Sequence, residues 1–160
     1  MLRISRSTDY GLLATVYLVR HPGKVVNARE IAGFYALPLP MIAKVLKVLH
    51  EGRIIVSRRG VEGGYVFEGD PTRITLGQML EVLEGPWDLV ACESLDTEGH
   101  GVCSIRLDCP SRGFMFGINR AIKDAFEQIT LVDLVRGTSP TPAIEEKLAA
   151  FRESRLEEIQ

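Results

Sequence analysis

Apolar side chains recur every three or four residues in four stretches of this chain, and each stretch predicts an amphipathic helix. The first covers residues 7–20 (STDYGLLATVYLVR), with Tyr10, Leu13, Val16 and Tyr17 on one stripe and Leu12 and Val19 beside it. Ser7 or Thr8 is placed to cap it, and Asp9 sits where the helix dipole favours an acid. After a turn at HPGK, Asn27 and Glu30 form a capping-box-like pair that opens a short helix to about Tyr35. ALPLP breaks the pattern. A third helix then starts near Pro40, a residue suited to a first turn, and runs to Glu51 with Gly52 as its stop.

That third helix has two distinct faces. Ile42, Val45, Leu46 and Leu49 point inward, whereas Met41, Lys44, Lys47, Val48 and Glu51 share an outer side with the two lysines adjacent. RIIVS follows as a strand, then RRGVEGG, then YVF, which predicts a hairpin whose tip carries Arg58, Arg59 and three glycines. A helix–turn–helix with a basic outer face, followed by a basic-tipped hairpin, predicts a winged helix-turn-helix. Its third helix would enter the major groove of double-stranded DNA while the wing reaches phosphates or the minor groove. The fold class expected is mainly α with a small β-wing, joined to a dimerisation helix.

The remaining periodic stretches lie further along. In TLGQMLEVLEG, Leu76, Met79, Leu80 and Leu83 form a stripe, Thr75 and Gln78 a capping box, and Gly85-Pro86 the stop. Residues 114–129 carry Met115, Ile118, Ala121, Ile122, Ala125, Phe126 and Ile129 opposite Asn119, Arg120, Lys123, Asp124 and Glu127. Such a stripe must be buried against something. The same helix of a second copy is the economical partner, with Ile118, Ile122, Ala125 and Phe126 at a homodimer interface; packing onto the chain's own winged domain is the rival. TLVDLVRG reads as a short capped turn of helix, TSPTP as a linker, and the tail as a charged helix with Ile144, Leu148, Phe151 and Ile159 on one side. The division expected is a winged domain over 1–70, a linker helix, cysteine segment and dimerisation helix over 71–137, and a C-terminal linker and helix over 138–160.

Composition narrows the setting. The 160 residues are 46% apolar and 25% charged, ordinary for a soluble domain. No apolar run approaches the roughly 20 residues that span a bilayer, and the N-terminus lacks the h-region of a signal peptide. A cytoplasmic protein with no membrane partner is therefore expected. The net charge of −2 conceals a split: residues 1–60 hold ten Lys and Arg against three acids, leaving nine against eighteen for the rest. A basic front half suits a polyanion.

All three cysteines fall in nineteen residues, ACESLDTEGHGVCSIRLDC, at Cys92, Cys103 and Cys109. An odd number in a reducing compartment argues against a disulfide, and the segment has too little apolar material for a buried thiol cluster. No C-x-x-C occurs, so thioredoxin-like and zinc-ribbon signatures are excluded. Metal binding leads. His100 would complete a Cys3His set suited to zinc; Asp9, distant in sequence, could reach across a dimer. Spacing does not separate zinc from iron–sulfur, since soft thiolates serve both. A regulator that uses the bare thiols for reversible oxidation stays open as well. An enzyme with a small-molecule substrate is not expected, because His21, His50 and His100 lie in no catalytic signature.

ISRSTDYGLLATVYL, LPLPMIAKVLKVLHEGRI, RRGVEGGY, ITLGQMLEVLEGP and INRAIKDAFEQITLVDLV, in that order over residues 1–137, resemble the IscR/NsrR-type family of winged-helix iron–sulfur transcriptional regulators. LPLPMIAKVLKVL and LEGP look most like the subgroup that regulates SUF assembly genes. The resemblance implies a homodimer on promoter DNA, most often a repressor, with Cys92, Cys103 and Cys109 holding a two-iron or four-iron cluster. It implies Arg59 as the wing arginine and Met41, Lys44 and Lys47 as the reading face. Some members take a histidine three residues after the last cysteine as the remaining ligand; this chain has Arg112 there. Others use an aspartate at the start of the first helix, donated by the partner, and Asp9 matches it; His100 is the alternative. The ten-residue gap between Cys92 and Cys103 is longer than the family commonly shows.

Overall fold

The computed structural model describes residues 4–90, 103–105 and 108–137, together with 142, 145, 146 and 149. The described chain runs α1 (Arg6–Arg20), α2 (Ala28–Tyr35), α3 (Leu39–Glu51), β1 (Val56–Arg58), β2 (Gly64–Val66), α4 (Leu76–Glu84), α5 (Arg112–Gln128) and α6 (Leu131–Arg136). This is the mainly α winged helix that the apolar pattern predicts. Its core gathers Leu18 from α1, Ile31 from α2, Leu46 from α3, Ile55, Met79 from α4 and Leu131 from α6, all essentially inaccessible to water.

Helix α1 differs from expectation in its start and in part of its face. Ser5 is the cap, accepting from the Thr8 amide, so the helix begins one residue before Ser7. Its buried residues are Thr8, Gly11, Ala14, Thr15, Tyr17 and Leu18, and Tyr10, Leu12 and Val19 pack on the core as expected, whereas Leu13 is exposed. Close approach is the reason. A Cβ on Gly11 would come 2.6 Å from Leu83, so only small residues let α1 lie this near α4. The Thr15 hydroxyl donates to the Gly11 carbonyl at 2.9 Å, which removes the cost of burying it.

Asn27 caps α2 by accepting from the Glu30 amide. Glu30 does not close the box. Its carboxylate instead accepts from the Tyr17 hydroxyl at 2.9 Å and the Lys24 ammonium at 2.5 Å, and the Lys24 bond holds it below the usual carboxylate range. Helix α3 buries Ile42, Val45, Leu46 and Leu49 as predicted, with Pro40 in its first turn.

The hairpin is antiparallel, pairing Val56 with Val66, Ser57 with Tyr65 and Arg58 with Gly64. It is shorter than RIIVS and YVF suggest, because Arg53 adopts a left-handed backbone (φ 60°) at the end of α3. That turn leaves Ile54 and Ile55 as core side chains outside the ladder. Val26 and Tyr65 exchange both backbone hydrogen bonds at 2.8 Å, fixing the wing to the segment before α2.

Helix α4 has the Thr75/Gln78 capping box, and α6 a second one from Thr130 and Asp133. The Leu76 amide donates to the Ile129 carbonyl (2.7 Å) and the Leu131 amide to Ile74 (2.9 Å), stapling the start of α4 to the α5–α6 junction. Arg20 donates to the Val135 carbonyl and ties α6 back to α1. Helix α5 packs on α4, the linker helix rather than the winged domain, and buries Asn119, Ala121 and Ala125 within the chain. Residues 142, 145, 146 and 149 are helical; the rest of the expected C-terminal helix, including Ile144, Leu148, Phe151 and Ile159, lies outside the described residues. No helix among the described residues is long and apolar enough to cross a membrane.

Candidate nucleic-acid interface and cysteine segment

The four inward side chains of α3 fix its rotation, and with it the outer face. Lys44 and Lys47 are exposed and Met41 is half-buried beside them. Lys47 has one ionic neighbour, Glu51 one turn on at 3.7 Å, an exposed pair that water screens. Both ammonium groups are therefore available to phosphates.

The structure separates the two wing arginines. Arg58 lies within β1 and pairs with Glu68 across the hairpin, so it is not a tip residue as the sequence predicts. Arg59 occupies the exposed tip with Val61, whose side chain is wholly in solvent. The tip is shaped by backbone. Gly60 has φ 128°, and the Gly63 amide donates to the Gly60 carbonyl at 3.0 Å. His50 fastens the wing to α3: its Nδ1 lies 3.2 Å from the Ile55 carbonyl and its Nε2 3.2 Å from the Ser57 hydroxyl. A carbonyl only accepts, so the neutral ring carries its proton on Nδ1 and accepts from Ser57. His50 thereby links the end of the reading helix to the first strand of the wing.

Of the predicted ligands, Cys103, Cys109 and Asp9 are described; Cys92 and His100 lie outside the described residues. Cys103 and Cys109 are free and half-buried. The Cys109 thiol stands 3.3 Å from the Ser111 hydroxyl, immediately before α5. Hydrogen bonds from the Ser111 hydroxyl and amide lower its pKa, and the Arg112 amide and charge add to them against the effect of burial. Arg112 acts on Cys109 first through its amide and then through its charge. Two half-buried thiols, one with a lowered pKa, have the chemistry of ligands for a soft metal, although no three His, Cys, Asp or Glu side chains gather into a metal site among the described residues.

Asp9 is exposed in the first turn of α1. The residue that organises this turn is one the sequence does not single out, Glu84 at the end of α4. Its Oε1 accepts from the Ser5 amide at 2.9 Å and from the Thr8 hydroxyl, so the carboxylate caps α1. Burial opposes ionisation of Glu84, but the hydrogen bonds from Thr8 and Ser5 outweigh it and its pKa is lowered. Glu84 closes the LEG that ends an apolar stripe, so its charge reads as a helix terminus; only the tertiary contact with α1 gives it this role.

On α5, Ala125 is 1% exposed and is enclosed within the chain, while Ile118, Ile122 and Phe126 are half-buried. Ala125 leaves no surface for a partner, because its face rests on the chain's own packing. Phe114 and Phe116, near the start of this helix, are exposed.

Residues 4–137 match the Rrf2 family, described as an iron-dependent transcriptional regulator. The chain is 41% identical to BadM of Rhodopseudomonas palustris over 83 residues, about half of each protein (52% and 53%). It is 28% identical to the HTH-type transcriptional repressor NsrR of Streptomyces coelicolor over 136 residues, 84% of this chain and 88% of that one. The solved structure of CymR, the global cysteine regulator of Bacillus subtilis, superposes with a TM-score of 0.68 at 29% identity, over 87% of this chain and all of the other. With the wing, the basic outer face of α3 and a family match over 4–137, the chain belongs to the Rrf2 family and is a transcriptional regulator rather than an enzyme.

Proposed function

We propose that this regulator binds promoter DNA as a homodimer, acts as a repressor, and is governed by an iron–sulfur cluster held by Cys92, Cys103 and Cys109, with iron–sulfur assembly (SUF or ISC) genes as its targets. Asp9 of the partner subunit completes the ligand set in this reading, and His100 is the alternative. The observation that carries it is a basic reading head in the same chain as a thiol biased toward thiolate at the start of α5. When bound, a cluster supplies one-electron chemistry and iron centres open to oxidants and nitric oxide.

The chain's own part is connection. Glu84 joins the turn bearing Asp9 to the end of α4, whose continuation runs toward Cys92. The end of α3 rests on the same helix, since a Cβ on Gly52 would come 2.4 Å from Val82. A displacement of α4 or of the α1 start is therefore passed to the reading helix rather than absorbed by a loop. Whatever binds the DNA-competent arrangement more tightly shifts the equilibrium by that difference in affinity and no more.

Anaerobically purified protein is expected to be brown, to contain iron and acid-labile sulfide, and to lose its visible absorption on replacement of any one cysteine by alanine. Colourless protein with stoichiometric zinc would favour a zinc site on the same thiols. A thiol-only redox regulator is the second reading, supported by the lowered pKa of Cys109 and the likeness to a cysteine regulator. It predicts peroxide-dependent mass changes in metal-free protein that still binds promoter DNA.

A further inference from the structure

The leading end of the reading helix is apolar in its side chains and in its backbone. Leu39, in the first turn of α3, is 37% exposed, Pro40 and Ala43 are exposed, and Met41 is half-buried. Pro38 is the cap residue and supplies no side-chain bond. Neither Pro38 nor Pro40 has an N–H, and the Met41 and Ile42 amides both donate to the Pro38 carbonyl, at 3.0 and 3.2 Å. A helix start usually offers its amides to phosphate. Here four of the five donors of residues 38–42 are absent or already used.

The polar groups of the outer face come later along α3 and are mostly of one kind. Lys44 and Lys47 only donate. The helix contains no Ser, Thr, Asn, Gln or Asp, and His50 is engaged by the wing. Its single carboxylate, Glu51, lies eleven residues beyond Pro40, about 16 Å along the axis, and pairs with Lys47. Reading helices touch base edges mainly with their N-terminal residues. Adenine and cytosine present an amino group to the major groove and are read there by an acceptor, which the leading turns of α3 lack. An apolar tip set against such an amino group leaves it without a partner, at a cost to binding. The C5-methyl of thymine is the apolar group that the major groove offers. We propose that Leu39, Pro40 and Ala43, with Met41 beside them, read thymine through that methyl group and so fix thymines in the operator. The inference rests on the reading that α3 enters the major groove.

The test first selects bound sequences from a random-duplex library with the full chain, once as purified anaerobically and once metal-free. Each thymine of the selected duplex is then replaced in turn by deoxyuridine, which pairs identically and lacks only the methyl. Thymines are expected at fixed positions, with affinity about 3- to 5-fold weaker for each uridine that removes a buried methyl. Leu39→Ala should lose part of this penalty and keep the salt slope. Ala43→Asn, at an exposed position that leaves the core untouched, should do the same. Lys44→Ala should keep the penalty and lose slope. Uridine without effect at every position, or selected sites with no fixed thymine, overturns the proposal, and so does a penalty that both tip variants retain in full. Failure to enrich any sequence refutes the groove reading on which the proposal stands; selected sites indifferent to the methyl refute the proposal alone.

Discussion

At Gly64 the wing has no room for a side chain. A Cβ there would stand 2.4 Å from the Val26 carbonyl oxygen, part of the backbone exchange that fixes the hairpin base. Gly64→Ala must push backbone rather than a flexible tip, and is expected to destabilise the protein by roughly 1–3 kcal/mol in denaturant unfolding. Glu84 carries a different residue-scale prediction. Its folded pKa lies below the unfolded value, so it contributes stability above the ordinary carboxylate range and loses it as pH falls through the lowered folded pKa. Wild type should therefore lose melting temperature over that acid interval more steeply than Glu84→Gln, which starts less stable at neutral pH. If the two fall in parallel, the cap on α1 is not ionic. Neither residue announces itself in sequence, because each owes its role to an element far along the chain. Asn119 is the same case: a polar side chain at a helical position whose partner backbone arrives thirty residues earlier.

Among the elements, α3 is the most legible, since one apolar stripe fixes its rotation. Ile42, Val45, Leu46 and Leu49 all turn inward, which leaves Lys44 and Lys47 outward without further argument. Replacing either lysine by alanine should weaken promoter binding and, for a phosphate contact, lower the salt slope by about one. Unchanged affinity and slope would remove this face from the interface. The wing refines that expectation. Arg59→Ala should cost more affinity than Arg58→Ala, because Arg58 is engaged by Glu68 and Arg59 occupies the tip. On helix α1 the apolar stripe finds Tyr17, Tyr10, Leu12 and Val19 but not Leu13, which is exposed, nor the small residues Gly11, Ala14 and Thr15, which the proximity of α4 selects. Periodicity reports which residues could be inside, not how closely the next helix approaches.

For the whole molecule, α5 serves two surfaces. Asn119, Ala121 and Ala125 are buried within the chain and Phe126 packs on its own Trp87, while Ile118 and Ile122 remain half-buried. Under the dimer proposal, Ile122→Asp should convert a sedimenting dimer into a monomer and abolish operator binding with the winged domain still folded. The cysteine segment was legible as chemistry and not as geometry: residue type and spacing indicate soft ligands, but only the α5 start shows a thiol held toward thiolate. The most direct test of the central claim is the operator affinity of one anaerobic preparation, measured with its iron and sulfide assayed, then again after the metal is removed. The account predicts iron and sulfide in the starting material and a change of affinity on their removal that cysteine-to-alanine protein does not show. Metal-free starting material, or an affinity that is the same before and after, would contradict it.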